Sequence, residues 1–397
     1  MIVQPSTPNS HEPLPVQIIA SRNFIDWMQA SQISLAFTTY QSSRLMLLGI
    51  DAQGKMSGIE RIFDRAMGLY TTPSRLYLAS RYQLWQLDNV LGAGELYNNY
   101  YDKVYVPRIA YTTGDLDVHD LALSTDSNQP VFISTLLNCL ATTSDSYSCT
   151  PLWKPAFISS IINEDRCHLN GLAMVEGKPR YVTACSQSDT IDGWRDKRQK
   201  GGCVIDIQSN EVIANGLSMP HSPRFYQGKL WLLNAGTGDF GYVELNTGKF
   251  QPITFCPGFL RGLAFVENYA LVGLSKPRRE QTFSGLELDK RLIAKKAEPW
   301  CGIMVIDITT GTVVHWFRLE GEITELYDVQ VLHGVKCPYA LGFQSDEISR
   351  LITLAPTSGL VNSQSTRPKS YAARTENPQE SINQIYQQTL INQKSVE

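Results

Sequence analysis

His221-Ser-Pro-Arg224, Lys229-Leu-Trp-Leu-Leu233, Gly241-Tyr-Val-Glu-Leu245 and Phe250-Gln-Pro-Ile-Thr-Phe255 follow one another closely in this 397-residue chain. Each segment has strand length and the branched and aromatic side chains that suit a pleated surface. Asn246-Thr-Gly248 separates the last two and supplies the glycine that a tight hairpin requires. Four antiparallel strands in one unit of roughly 50 residues is the plan of a β-propeller blade.

The unit recurs on both sides. Met67-Gly-Leu, His119-Asp-Leu-Ala, Asn170-Gly-Leu-Ala, His221-Ser-Pro-Arg, Arg261-Gly-Leu-Ala and Tyr327-Asp-Val-Gln share a polar or bulky residue ahead of a small-apolar strand. Their first residues lie 52, 51, 51, 40 and 66 apart. Second strands follow, among them Arg75-Leu-Tyr-Leu-Ala, Gln129-Pro-Val-Phe-Ile and Arg180-Tyr-Val-Thr-Ala. Third strands end on an acid before a polar turn, as in Cys203-Val-Ile-Asp206 and Gly302-Ile-Met-Val-Ile-Asp307. Residues 33–63 hold one more copy, entered part-way through, with Leu35 to Tyr40 and Arg44 to Gly49 as second and third strands.

The expected fold is therefore all-β: a propeller of four-stranded antiparallel blades, seven in number, or six if residues 33–63 merge with the C-terminal strands. An N-terminal strand at Val16 to Ala20 would complete the final blade and leave no exposed edge. A pair of β-sandwiches is the competing architecture, and W-D or kelch markers are missing. Residues 1–23 read as a Pro-rich extension and 24–355 as the propeller. Residues 276–300 read as an inserted loop with a short basic helix. Residues 356–397, rich in Ser, Gln and Asn, read as a disordered tail.

Composition narrows the function. Hydrophobic residues make up 43% and charged residues 18%, enough for a large core. A net charge of −3 argues against a general nucleic-acid or membrane-surface binder. The first seventeen residues carry four prolines and no Lys or Arg, so no secretory signal is expected, and the apolar runs are too short to span a bilayer. Eight cysteines without a C-x-x-C pair give neither a structural-zinc pattern nor a disulfide framework, and most are expected in strand-like runs. A cytoplasmic protein is expected.

Longer motifs carry a family resemblance. Arg65-Ala-Met-Gly-Leu69, His168-Leu-Asn-Gly-Leu172, Gly193-Trp-Arg195, Met219-Pro-His-Ser-Pro-Arg224, Pro257-Gly-Phe-Leu-Arg-Gly262, Gly273-Leu-Ser-Lys-Pro-Arg278 and Phe283-Ser-Gly-Leu286 lie within residues 24–355. That span resembles a bacterial family of unknown-function domains, largely cyanobacterial and proteobacterial, made of conserved hypothetical proteins. The resemblance implies a propeller-like fold and brings no activity, cofactor or residue role with it.

Chemistry is expected where the blades begin. In a propeller the first strand of each blade lines the axis, so Met67, His119, Asn170, His221, Arg261 and Tyr327 should converge there. His168, two residues before Asn170, would point to the same side of a strand. Three imidazoles with an open position suit zinc or iron, with Asp117 and Asp120 near His119 as supporting carboxylates. The plainer alternative is that these histidines hydrogen-bond backbone between blades.

A second group is cationic: Arg65, Arg224, Arg261, Lys276 and Arg278, with Arg195 at the rim. Such groups in a concavity would bind a small anion, unless they pair with acids such as Asp64 and Glu280. Asn170 and Tyr327 complete the candidate ligand-binding set, and Tyr40 and Trp194 could wall it, although Trp194 reads more readily as packing a blade. Gly236-Thr-Gly-Asp-Phe-Gly241 fits a dinucleotide fingerprint but lies between two strands, so its glycines are expected to serve a hairpin. The leading functional expectation is a propeller binding a small anionic molecule in a His- and Arg-lined axial pocket, with metal-assisted hydrolase, lyase or oxygenase chemistry open to it. The rival is a non-catalytic scaffold that offers its loops to a protein partner.

Overall fold

Carboxylates and glycines at the turns explain why these short strands fold back on one another. Asp206 Oδ1 accepts the Gln208 amide at 2.8 Å, and Asp307 Oδ1 accepts the Thr309 amide at 2.8 Å. These Asx turns are the acids seen at the ends of third strands. Gly248 and Gly311 then adopt φ of 67° and 73°, a region closed to most side chains.

The computed structural model describes residues 16–277, 285–344 and 346–355. The chain divides into two units, Met1–Gly342 and Phe343–Glu397. The described part of the second holds a short helix, Glu347–Arg350. Residues 1–15 of the Pro-rich extension and the tail from 356 onwards lie outside the described residues.

Among the described residues the first unit forms six sheets, named here by the chain order of their innermost strands. Blade one begins with Leu69–Thr72, blade two with Val118–Leu123 and blade three with Leu169–Val175. Blades four, five and six begin with Pro220–Tyr226, Phe259–Val266 and Asp328–His333. Each innermost strand touches that of the next blade, and that of blade six touches blade one, so the sheets close into a ring. Packing between neighbouring sheets buries inner strands such as Ile33–Thr39 and Pro130–Ser134 completely, while outer strands such as Met56–Ile62 stay half exposed.

The propeller has six blades, not seven. Ile33–Thr39 pairs antiparallel with Asp328–His333, so residues 33–62 and the C-terminal strand are two parts of one blade. This merger of the partial copy with the C-terminal strands is the condition on which the alternative count of six depends. Gln17–Ala20 does not close the ring either: it pairs with Val313–Glu320 as the fifth, outermost strand of blade five. A fifth strand also covers blade one, where Pro338–Ala340 runs parallel to Lys103–Thr112. The insertion in blade five contains the helix Glu287–Lys295, whose Leu288 and Leu292 pack into a core with Phe240 and Trp300. Gly236-Thr-Gly238 forms a hairpin in blade four, with Gly238 at φ 75°.

The ring is laced at the level just after the six entrance residues, where Gly68, Asp120, Gly171, Ser222, Gly262 and Asp328 alternate glycine with a polar side chain. Asp120 accepts the Leu172 amide at 3.0 Å, Ser222 the Gly262 amide at 3.0 Å, and Asp328 the Leu69 amide at 2.9 Å. Each polar residue thus reaches the glycine-bearing strand of the following blade. The glycines permit close approach on their other side: a Cβ at Gly171 would lie 2.2 Å from Pro223 Cδ. Seven of the eight cysteines are buried, but only Cys139 and Cys203 lie within strands; the others sit just beyond strand ends.

Candidate functional site

Four blades enter the hub through the same corner. Arg65, Asp117, His168 and Met219 occupy equivalent places, two residues before Met67, His119, Asn170 and His221, and all have φ between 47° and 52°. A non-glycine residue there costs about 1–2 kcal/mol, but its use in four blades makes the bend a property of the fold. His168 therefore does not point inward by strand alternation. The strand starts at Leu169, and the left-handed bend brings the His168 ring beside His119. Asn170 is committed within its own blade, accepting from Thr183 Oγ1 at 2.7 Å and donating towards Cys185 Sγ at 3.5 Å.

One ring nitrogen from each of His119, His168 and His221 lies within 4.8 Å of the other two, and all three residues are buried. The His119 ring stands edge-on to His168, with centroids 4.9 Å apart, and 6.4 Å from His221.

The Nδ1 atoms are all engaged away from the cluster. His221 Nδ1 is 2.8 Å from the Met219 carbonyl and His119 Nδ1 is 3.0 Å from the Asp117 carbonyl. A carbonyl only accepts, so both nitrogens carry hydrogen. Thr135 Oγ1 donates to the Leu169 carbonyl at 2.6 Å and shares the single His119 Nδ1 hydrogen with the Asp117 carbonyl, lying 2.8 Å from that nitrogen. His168 Nδ1 is 2.7 Å from Asp165 Oδ2, which also accepts from Trp194 Nε1 at 2.9 Å. The tautomers that follow place a lone pair on Nε2 of His119 and of His221, and His221 Nε2 is buried without a hydrogen-bond partner. Burial, with His168 and Arg261 nearby, holds His119 well below the ordinary imidazole range; burial and Arg261 do the same to His221. Neutral imidazoles with bonded Nδ1–H groups are the state in which histidine ligates metals.

The cations occupy different settings. Arg65 is paired with Asp115, and Asp117 lies 3.8 Å away. Arg224 reaches two blades back to Asp120 through two hydrogen bonds of 2.7 and 3.2 Å, with Asp328 at 3.7 Å on its other side. Asp120 thus serves Arg224 and the backbone; of the two carboxylates expected behind His119, Asp117 is the one near the ring, at 3.5 Å. Of the acids that could pair with these cations, Asp64 pairs with Arg81, and Glu280 lies outside the described residues.

Arg195 is exposed and paired with Asp192 at 2.8 Å. Lys276 follows the second strand of blade five, its amide bonded to the Thr324 carbonyl. Arg278 lies outside the described residues. Among the described residues of this set, Arg261 alone stands at the cluster with no described acid beside it: it is 7% exposed, and its guanidinium lies 4.8 Å from the Tyr327 ring and 5.5 Å from Phe259. Tyr327 in turn meets His119 at 5.5 Å and stacks on Tyr40.

Residue spacing did not pick out Asp165 or Thr135, and placed Trp194 in a blade. Trp194 instead stacks on His168 with centroids 4.2 Å apart. Asp165, three residues before His168, was the one available hint.

Fold and site together define a six-bladed β-propeller with a buried three-histidine cluster at its hub. The chain belongs to a family described as Domain of unknown function (DUF4915), whose model matches residues 22–341. No curated protein matches it. Among solved structures, a chain of a nidogen–laminin complex is 11% identical, with a TM-score of 0.49, over 76% of this chain and 99% of that one. Virginiamycin B lyase from Staphylococcus aureus is also 11% identical, with a TM-score of 0.37, over 66% and 96%. A streptogramin B lyase is 10% identical, with a TM-score of 0.35, over 72% and 90%. None of these scores reaches 0.5, and the propeller assignment rests on the strand order and the closed ring. Among the described residues no helix is long and apolar enough to cross a membrane.

Proposed function

We propose that the hub is a mononuclear metal centre: His119, His168 and His221 hold zinc or iron, and a small anionic ligand completes the coordination beside Arg261. The observation that carries this reading is the commitment of all three Nδ1 atoms to backbone and carboxylate anchors, which leaves each Nε2 available to a metal. Histidines serving only to tie blades together would not need three rings with ligand atoms within 4.8 Å of one another. Asp165 orients His168, the Asp117 carbonyl and Thr135 orient His119, and the Met219 carbonyl orients His221. Such outer partners raise ligand basicity and fix ring orientation. Three protein ligands leave a position for water or substrate, and the metal there would polarise a bound oxygen, which suits hydrolase, lyase or oxygenase chemistry.

Elemental analysis of the purified full-length protein tests this. About one equivalent of zinc or iron is expected, falling by about 10-fold or more in a His119→Ala/His221→Ala variant of unchanged circular dichroism. Less than about a tenth of an equivalent of either metal in the wild type, even after loading, would remove the metal centre.

A further inference from the structure

We infer that the anion taken by this centre is a carboxylate that bridges the metal and Arg261, both oxygens meeting the guanidinium fork and one of them also facing the metal. The inference rests on the metal reading above and names the ligand class for it.

Arg261 is the reason. Its guanidinium is almost wholly buried and makes no hydrogen bond or ion pair with any described residue, and its Nε has no partner. Burying a charge in that state is expensive unless an opposite charge meets it. What Arg261 has instead is aromatic: Tyr327 at 4.8 Å and Phe259 at 5.5 Å. Cation–π contacts hold a guanidinium in place without consuming its N–H donors, because the donors lie in its plane and the rings lie over it. The remaining edge is a planar fork, and the matching acceptor is a planar pair of oxygens. Tyr327 also contacts His119, and Phe259 contacts His221 at 5.7 Å, so the two rings that fix Arg261 also border two of the three imidazoles.

A carboxylate presents both oxygens in the plane of the fork, whereas phosphate and sulfate carry theirs in a tetrahedron, so acetate and phosphate are the ligands to compare.

The test uses the full-length protein loaded with cobalt(II), whose visible spectrum reports its coordination, titrated with acetate and in parallel with inorganic phosphate. Cobalt content is measured separately for the wild type, Arg261→Met and Arg261→Lys. Acetate should shift the spectrum of the wild type and saturate. Its dissociation constant should rise about 10- to 100-fold in Arg261→Met and less in Arg261→Lys, with cobalt near one equivalent throughout. Retained cobalt in Arg261→Met also shows that the variant folds. Equal acetate affinity in wild type and Arg261→Met, or tighter binding of phosphate than of acetate, overturns the inference and leaves the metal centre standing. Failure of the wild type to take up cobalt overturns the metal centre, and the bridge falls with it.

Discussion

Arg224 and Arg261 belong to neighbouring blades, and both carry their charge into the hub. Arg224 is clasped by Asp120 through two hydrogen bonds and flanked by Asp328, so its charge is answered by the protein itself. Arg261 has the rings of Tyr327 and Phe259 and, among the described residues, no acid. The paired arginine ties blades two, four and six together; the one without an acid stands beside three metal-competent imidazoles. A partly buried cation with its own carboxylates is part of the architecture, whereas one held by aromatic faces is, on the proposed reading, provision for a ligand.

The largest effect should come from breaking the clasp. Asp120→Ala removes both hydrogen bonds to Arg224 and the acceptor of the Leu172 amide, leaving a buried cation short of its partner. Urea unfolding should show a loss of about 3–5 kcal/mol. Asp165→Asn should come next. It keeps the shape of the side chain but withdraws the charge behind His168, so metal affinity should fall about 10- to 100-fold in a competition with a chelator, with little change in the unfolding of the metal-free protein.

A third effect concerns pH. Burial pushes the Asp328 carboxyl up to about 7 from an ordinary 3.8, against the pull of Arg224. A carboxyl with a higher pKa folded than unfolded binds more protons in the native state, so stability falls as pH rises. The urea midpoint should decline from about pH 4 to about pH 7 and level off above that, and Asp328→Asn should flatten this part of the profile. The smallest effect on folding should be that of Arg261→Met. Replacing an uncompensated buried charge by an apolar stem should leave the metal-free protein at least as stable as the wild type. A loss comparable to that of Asp120→Ala would erase the distinction between the two arginines.

Much of this was legible in the sequence, and the remainder was hidden for identifiable reasons. The recurrence of Met67, His119, Asn170, His221, Arg261 and Tyr327 located all six blade entrances and with them the three histidines. The count of seven failed and the alternative of six held because a ring joins its ends: strands 290 residues apart in sequence form one sheet, and a linear repeat shows them as two copies. The partners of the arginines were illegible for a similar reason, since Asp120 lies 104 residues from Arg224 and only closure brings them together. His168 was placed correctly by an alternation that the chain does not follow there, because the left-handed corner is invisible in residue type. The alternation of glycine with Asp or Ser after the six entrance residues stood in plain view, but it acquires meaning only once neighbours across the ring are known.

The most direct measurement is X-ray absorption at the zinc edge of zinc-loaded protein, which reads the donors without reference to any activity. Three imidazole nitrogens at about 2.0–2.1 Å and one oxygen as the fourth donor are the predicted shell. A shell containing sulfur at about 2.3 Å, or one made of oxygens alone, would contradict the three-histidine centre.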